Sequence, residues 1–356
     1  MSILFAIILF SFLIFIHELG HFVAAKLSGV QVNEFALFMG PAIFKKQVGE
    51  TLYSLRCIPI GGYCAMEGED EDTDNPRSFQ KASWWKRLII LVAGAAMNFV
   101  AGLALFLIVY LPADQIVVPV IDSFEAGCVL EAKEGDFGLR VGDRILSVDG
   151  DKIYTSSDFS MLLTLNPGEI HDIRLERQGE IIELEGFRLV KAEYPDPAGG
   201  TSLRYGFNFS LEEGNLINTL GYVWNNAMSN VQMVKLSIQM LLSGQAGLQD
   251  LGGPVMIVDQ MAQVAESSPT VLDALLNMLY FGGFLAINLA VMNLLPIPAL
   301  DGGRAVCLLI TAAVEGITRK KLNPKYEGYL HAAGMILLVG LMAIVMFKDI
   351  FVIFKR

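Results

Sequence analysis

Ile14-Phe15-Ile16-His17-Glu18-Leu19-Gly20-His21-Phe22-Val23-Ala24-Ala25 lies inside an apolar opening stretch that runs from Met1 to about Leu27. On a helix, His17 and His21 fall at i and i+4 on one face, where both imidazoles can reach a single zinc ion. Glu18 between them is then placed to act as a base on water held at that metal. Each ionisable group buried in a bilayer costs roughly 2.5 to 3.5 kcal/mol or more unless it has a partner. Three such residues within five positions imply a compensating metal, and the apolar surroundings imply a membrane span.

Working outward, the whole chain fits a membrane protein. Its 356 residues are 53% hydrophobic and only 18% charged, with a mean hydropathy of +0.50, too apolar for a soluble enzyme of this size. Four segments, about 2–27, 87–111, 273–297 and 328–353, are long and apolar enough to cross a bilayer. The first lacks a basic leader and a small-residue cleavage site, so it is expected to be a retained span rather than a signal peptide.

Lysine and arginine set the expected orientation. Lys26, Lys45, Lys46, Arg56, Arg77, Lys81, Lys86 and Arg87 follow the first span, and Arg304, Arg319, Lys320, Lys321 and Lys325 lie between the last two. The positive-inside rule puts both short loops in the cytoplasm, with both termini and residues 112–270 outside. Lys355 and Arg356 pull weakly the other way. Residues 216–242 hold Asn225, Asn226, Ser229, Asn230, Gln232, Lys235 and Gln239, too many polar groups for a lipid-facing span. Amphipathic helices against the outer face are expected there.

The net charge of −11 owes much to Glu67, Glu69, Asp70, Glu71, Asp72 and Asp74, most simply a solvated loop. No basic surface for nucleic acid is expected. The four cysteines suggest no disulfide, and Cys57 and Cys64 are better taken as small hydrophobes than as zinc ligands.

A hydrolytic zinc site takes three protein ligands and leaves a position for water. The best third candidate is Asp301, in Asn293-Leu-Leu-Pro296-Ile-Pro298-Ala-Leu-Asp301-Gly302-Gly303. His21 lies about six residues, or about 9 Å, before the cytoplasmic end of the first span. The third span runs inward and brings Asp301 to a similar depth. The two prolines break the helix there and free backbone to line a polar cavity. Upstream, Leu52 to Met66 alternates around Pro59-Ile60-Gly61-Gly62, which predicts two short strands about a tight turn. Residues 115–190 predict a compact soluble domain. Strands are expected near 117–121 and 144–150, and a helix capped by Ser156 or Ser157 through Leu165. A strand pair should turn at Gln178-Gly179.

His17–His21 together with the Asn293–Gly303 segment closely resembles the site-2 protease family of intramembrane zinc metalloproteases, and within it the RseP-like branch. The resemblance covers nearly the whole chain. It implies a polytopic α-helical membrane protein with four transmembrane helices, a membrane re-entrant β-hairpin at about 52–66 and an inserted extracytoplasmic PDZ domain. It implies one Zn2+ per chain on His17, His21 and Asp301, with Glu18 as catalytic base. Asn293 matches a family asparagine that contacts substrate or stabilises the reacting carbonyl, and Asn288 also fits the pattern. Gly61, Gly62 and Tyr63 match the family hairpin, whose edge could pair with an extended substrate. Gly94 to Asn98 matches a Gly-x-x-x-Asn pattern with Asn98 toward the cavity. The run Gly142 to Gly150 resembles bacterial PDZ modules, present here in a single copy, either as a peptide binder or as a size filter.

The expected division is 1–114, 115–192 (PDZ), 193–270 (linker with amphipathic helices) and 271–356. The expected enzyme sits in a bacterial cytoplasmic membrane with its site near the cytoplasmic side. It would cleave single-pass membrane proteins already trimmed outside by another protease, such as anti-sigma factors, or remnant signal peptides. Lipid is a partner and nucleic acid is not. Two rivals remain: a membrane scaffold or chaperone with a structural zinc, and a metal transporter using histidine and aspartate in transit.

Overall fold

Apolar side chains on every face of a helix leave it no aqueous surface, and four helices here have that character. The computed structural model describes residues 2–69, 73–133, 136–196, 200–247, 252–319 and 325–354. In chain order the elements are α1 (Ser2–Ser28), β1 (Val32–Val48), β2 (Thr51–Met66), α2 (Trp84–Tyr110), β3 (Gln115–Phe124), β4 (Arg144–Val148), β5 (Asp151–Lys152) and α3 (Ser156–Leu165). There follow β6 (Ile170–Arg177), β7 (Glu180–Arg188), β8 (Ala192–Pro195), β9 (Thr201–Arg204), β10 (Phe207–Glu213), α4 (Leu216–Ser243), α5 (Pro254–Ser267), α6 (Val271–Asn293), α7 (Asp301–Thr318) and α8 (Lys325–Phe354). Among the described residues, α1, α2, α6 and α8 are the four helices long and apolar enough to span a membrane.

The chain forms two units, divided within α2 and α4. The first comprises residues 1–106 and 233–356. One of its cores joins the second half of α1 (Ala24, Ala25) to Phe35, Cys64 and Met66 of the hairpin, Ile90 and Leu91 of α2, and Ala305 and Leu308 of α7. Another joins Ala6, Leu9 and Leu13 of α1 to Met261 of α5 and to Leu285 and Ala286 of α6. Glycines allow the helices to touch. A β-carbon on Gly20 would sit 2.4 Å from the Ala93 carbonyl oxygen, and one on Gly102 would sit 2.7 Å from Ile287.

The hairpin corrects the sequence expectation. Its tight turn is at Gly49–Glu50, where Val48 pairs with Thr51, and not at Pro59–Gly62. The two arms of β2 do not pair with each other. Residues 34–37 lie between them, facing Leu52, Tyr53, Ser54 and Leu55 on one side and Ala65, Cys64, Tyr63 and Gly62 on the other. Bends make this possible: Phe38 and Gly40 in β1 and Gly61 in β2 all have left-handed φ, between 71° and 83°. β1 carries Gly40-Pro41 inside an alternating run, which breaks the strand pattern in the sequence and hides the added strand.

Other expectations shift by less. The third span ends at Asn293, not 297, because Pro296 cannot continue the ladder. The segment between the last two spans is not merely a loop: it contains α7, whose first residue is Asp301. Residues 70–72 of the acidic run, and Lys320, Lys321, Lys355 and Arg356, lie outside the described residues.

The second unit, residues 107–232, is a sheet in the order β10-β3-β4-β6-β7, with β5 beside β4. It uses β10, beyond the boundary at 192 read from the sequence, and β8, β9 and β10 all precede α4. The N-cap of α3 is Thr155, one residue before the serines expected there, and the Asp158 carboxylate accepts the Tyr154 and Thr155 N–H groups in a capping box. Phe159 of α3 packs on Phe207 and Phe209 of β10. Gln178 and Gly179, both at positive φ, make the two-residue turn between β6 and β7.

Candidate active site and metal centre

The geometry of α1 puts the His17 and His21 rings edge to face, with centroids 4.8 Å apart. The His21 Nδ1–H donates to the Ile90 carbonyl of α2 at 2.8 Å. That bond leaves Nε2 as the lone-pair nitrogen and aims it inward, the usual arrangement of a ligating histidine. The Nε2 atoms of His17 and His21 are 3.2 Å apart. Asp301 Oδ2 lies 3.2 Å from the first and 3.4 Å from the second.

These three lengths decide what the cluster can hold. Ligands at 2.0–2.1 Å in a tetrahedron are separated by about 3.3 Å. The donors form one face of such a tetrahedron, and the fourth vertex is left to water or substrate. Asp301 Oδ2 is buried without a hydrogen-bond donor, as an oxygen facing a cation should be. Gly94 of α2 keeps the space clear: a β-carbon there would fall 2.3 Å from His21 Nε2 and 2.8 Å from His17 Cε1. The residues present therefore fit a zinc ion. Among the described residues, this is the cluster of metal-capable side chains, and neither Cys57 nor Cys64 belongs to it.

The loop that delivers Asp301 folds tightly on itself. A β-carbon on Gly302 would lie 2.3 Å from the Leu294 carbonyl oxygen, and one on Gly303 would lie 2.2 Å from that of Ile297. Only glycines let the first turn of α7 sit against those carbonyls. The Arg304 guanidinium, one turn along, pairs with Glu69, just beyond the hairpin. That pair ties the C-terminal motif to the segment after β2, and no pattern in the sequence announced it.

Asn98 and Asn293 both place an amide 3.5 Å from His17 Nδ1. If His17 binds metal through Nε2, Nδ1 carries the proton and needs an acceptor. The Asn98 side chain is 1% exposed and its Oδ1 has no donor. Exchanging its amide oxygen and nitrogen gives the His17 Nδ1–H an acceptor and the Asn98 Oδ1 a donor. Asn98, expected toward the cavity, thus meets the His17 ring. Asn288 donates to the Phe284 carbonyl of its own helix at 3.0 Å.

The hairpin reaches the site through Gly62. A β-carbon there would be 3.4 Å from Glu18 Cγ and 3.3 Å from Ile14. Gly61 faces Met39 and serves the bend. Tyr63 belongs to a polar cluster: Arg56 donates to its hydroxyl, to Glu34 Oε1 at 2.8 Å and to the Gly40 carbonyl at 2.7 Å.

Comparison with known proteins agrees with this arrangement. The model of peptidase family M50 matches residues 5–341. The chain belongs to peptidase family M50. A relative in Clostridium perfringens named as a zinc metalloprotease is 36% identical, over 98% of each chain. The zinc metalloprotease RasP of Oceanobacillus iheyensis is 28% identical, over 97% of each chain. The regulator of sigma-W protease RasP of Bacillus subtilis is 26% identical, also over 97% of each. Like other M50 peptidases, the site-2 proteases among them, this protein is a zinc metalloendopeptidase with the apolar helices of a membrane enzyme.

Proposed function

We propose that this M50 peptidase hydrolyses peptide bonds within the membrane-spanning segments of single-pass membrane proteins. In this reading His17, His21 and Asp301 are the zinc ligands and Glu18 is the general base. The observation that carries it is the triangle of donor atoms with edges of 3.2 to 3.4 Å, with Glu18 directly after His17 and three residues before His21. Zinc supplies a Lewis acid that activates water and polarises a carbonyl. Glu18 takes the proton of the attacking water and returns it to the departing amine nitrogen. Asn98 holds the ring of His17, and Asn293, equally near that ring, can instead turn its amide toward the carbonyl oxygen as charge develops. A structural zinc would call for four closed ligands, whereas three donors converge among the described residues.

A helical substrate must unwind before its backbone is accessible. The segment 62–65 pairs with β1 on one side only and passes Glu18 at Gly62. An extended substrate strand added to its other edge would run beside the base, which gives Gly62 and Tyr63 their substrate contact. Residues 115–192, completed by β10, are assigned to a PDZ-like module that acts as a filter against bulky ectodomains. Substrates trimmed outside beforehand, anti-sigma factors above all, suit that filter, and the sigma-W regulator among the relatives supports the choice. The basic residues flanking the spans favour a bacterial inner-membrane protein with both termini and this module outside.

Glu18→Gln tests the reading. Zinc should remain bound while cleavage of a reporter membrane helix by the purified protein stops; undiminished cleavage would overturn the assignment.

A further inference from the structure

The chain has four histidines. Two are the proposed ligands, and His171 pairs with Asp149 in the second unit. The fourth, His331, stands on α8, thirty positions beyond Asp301, and its Nδ1 accepts the N–H of Ala299 at 3.0 Å. Ala299 is two residues before Asp301.

Residues 297–300 make a β-turn closed by the Leu300 N–H donating to the Ile297 carbonyl at 3.2 Å. Pro298 occupies the second position and Ala299, with φ of 80°, the third. That is the pattern of a type II turn, whose third position normally requires glycine or asparagine. An alanine in the left-handed region persists only where its surroundings hold it there. In a type I turn the Pro298–Ala299 peptide is flipped and the Ala299 N–H points the other way. An acceptor fixed at His331 Nδ1 therefore selects type II. Gly334, one turn along α8, completes the cradle: a β-carbon there would lie 2.5 Å from Pro298 Cβ and 2.6 Å from its carbonyl oxygen.

The turn type decides how the chain enters α7. Leu300 is the extended N-cap and Asp301 the first helical residue. Flipping the peptide two residues earlier redirects the carboxylate relative to His17 and His21. We infer that His331 is a positioning residue, which fixes the type II turn at Pro298–Ala299 and so holds Asp301 at the metal. The inference rests on the reading of Asp301 as a zinc ligand.

Its test uses the full-length protein in detergent, with zinc retention against a graded chelator and the kcat and KM of reporter cleavage as readouts. H331L removes the acceptor, and H331N keeps one at the same branch point. H331L should lose zinc at about tenfold lower chelator and show reduced kcat at unchanged KM, whereas H331N should stay within about threefold of the parent, the scale on which supports of metal ligands act. Adding Ala299→Gly to H331L should restore retention, because glycine takes the left-handed conformation unaided. Should H331L fail to fold, G334A carries the test through the same cradle, with G340A, which meets nothing within 4 Å, as the control on the same helix. G334A should loosen zinc and G340A should not. Parental retention in H331L, or in G334A where H331L cannot be made, overturns the inference; D301N losing zinc in the same experiment leaves the ligand reading intact. Retention in D301N itself overturns both.

Discussion

Gly94 and His21 touch across the crossing of α2 and α1, so closely that a β-carbon on Gly94 would stand 2.3 Å from His21 Nε2. Two observations meet at this point: the helices are within backbone contact at Gly20, and the imidazole is pinned by the Ile90 carbonyl. The ring cannot retreat without breaking that hydrogen bond. Gly94→Ala should therefore displace Nε2 by about 1 Å, which at a catalytic centre costs on the order of a hundredfold in rate. Zinc content of the purified variant should fall with it. Full zinc occupancy and parental turnover would show that the crossing is looser than the structure has it.

Asn98 is expected to act on the metal rather than on substrate. Asn98→Leu removes the acceptor for His17 Nδ1–H and should weaken zinc binding by about 10- to 100-fold. Asn98→Asp keeps an acceptor and should bind zinc better than the leucine variant does. A chelator titration separates the two roles, since a substrate contact would raise KM and leave zinc retention unchanged.

Much of this centre was legible in the chain because its chemistry is rare in lipid. His17, Glu18, His21 and Asp301 stood out as ionisable groups in apolar surroundings, and the structure brings the three donor atoms together. The spans were legible for the same reason. What the sequence hid was the partner of each group. Gly94 and Gly20 can be recognised as close-packing glycines, but nothing local says that a histidine ring fills the space opposite. The 34–37 strand inserted between the arms of β2 depends on two left-handed bends, and pairing partners eighteen to thirty-one residues apart leave no periodic trace. The β10 strand was missed because its partner β3 lies across the whole second unit in sequence. His331 belongs to no pattern in the sequence, and only the fold sets it against Ala299.

Gly62 offers a test of how the hairpin serves cleavage. Its missing side chain lets the 62–65 edge pass Glu18 and Ile14, with the Ala36 carbonyl oxygen 3.1 Å from where a β-carbon would be. Gly62→Val should crowd that passage without touching His17, His21 or Asp301. Cleavage of a reporter helix should drop by about a hundredfold while zinc content holds, as expected when geometry near the reacting bond shifts by about 1 Å. Loss of zinc together with activity would instead mean that the hairpin supports the metal site itself.

Glu50 gives the fold a measurable acid sensitivity. At the hairpin turn its carboxylate accepts two hydrogen bonds from the Arg77 guanidinium, at 2.6 and 2.9 Å, and one from Lys26 at 2.7 Å. Arg77, and then Lys26, hold it down to about 2 from an ordinary 4.5. A carboxyl with a lowered folded value stabilises the fold fully above its unfolded value, and that contribution disappears as pH falls through the folded value. The window is therefore about 4.5 down to about 2. Acid acts on other groups of the protein too, so the comparison must be made against Glu50→Gln, which shares every other titration. The parent should melt higher than Glu50→Gln above about pH 5, with the gap closing as pH falls toward about 2. Because the cluster is partly exposed, the gap should also shrink in high salt. A gap that stays constant across that window would mean that Arg77 and Lys26 do not grip the turn in solution.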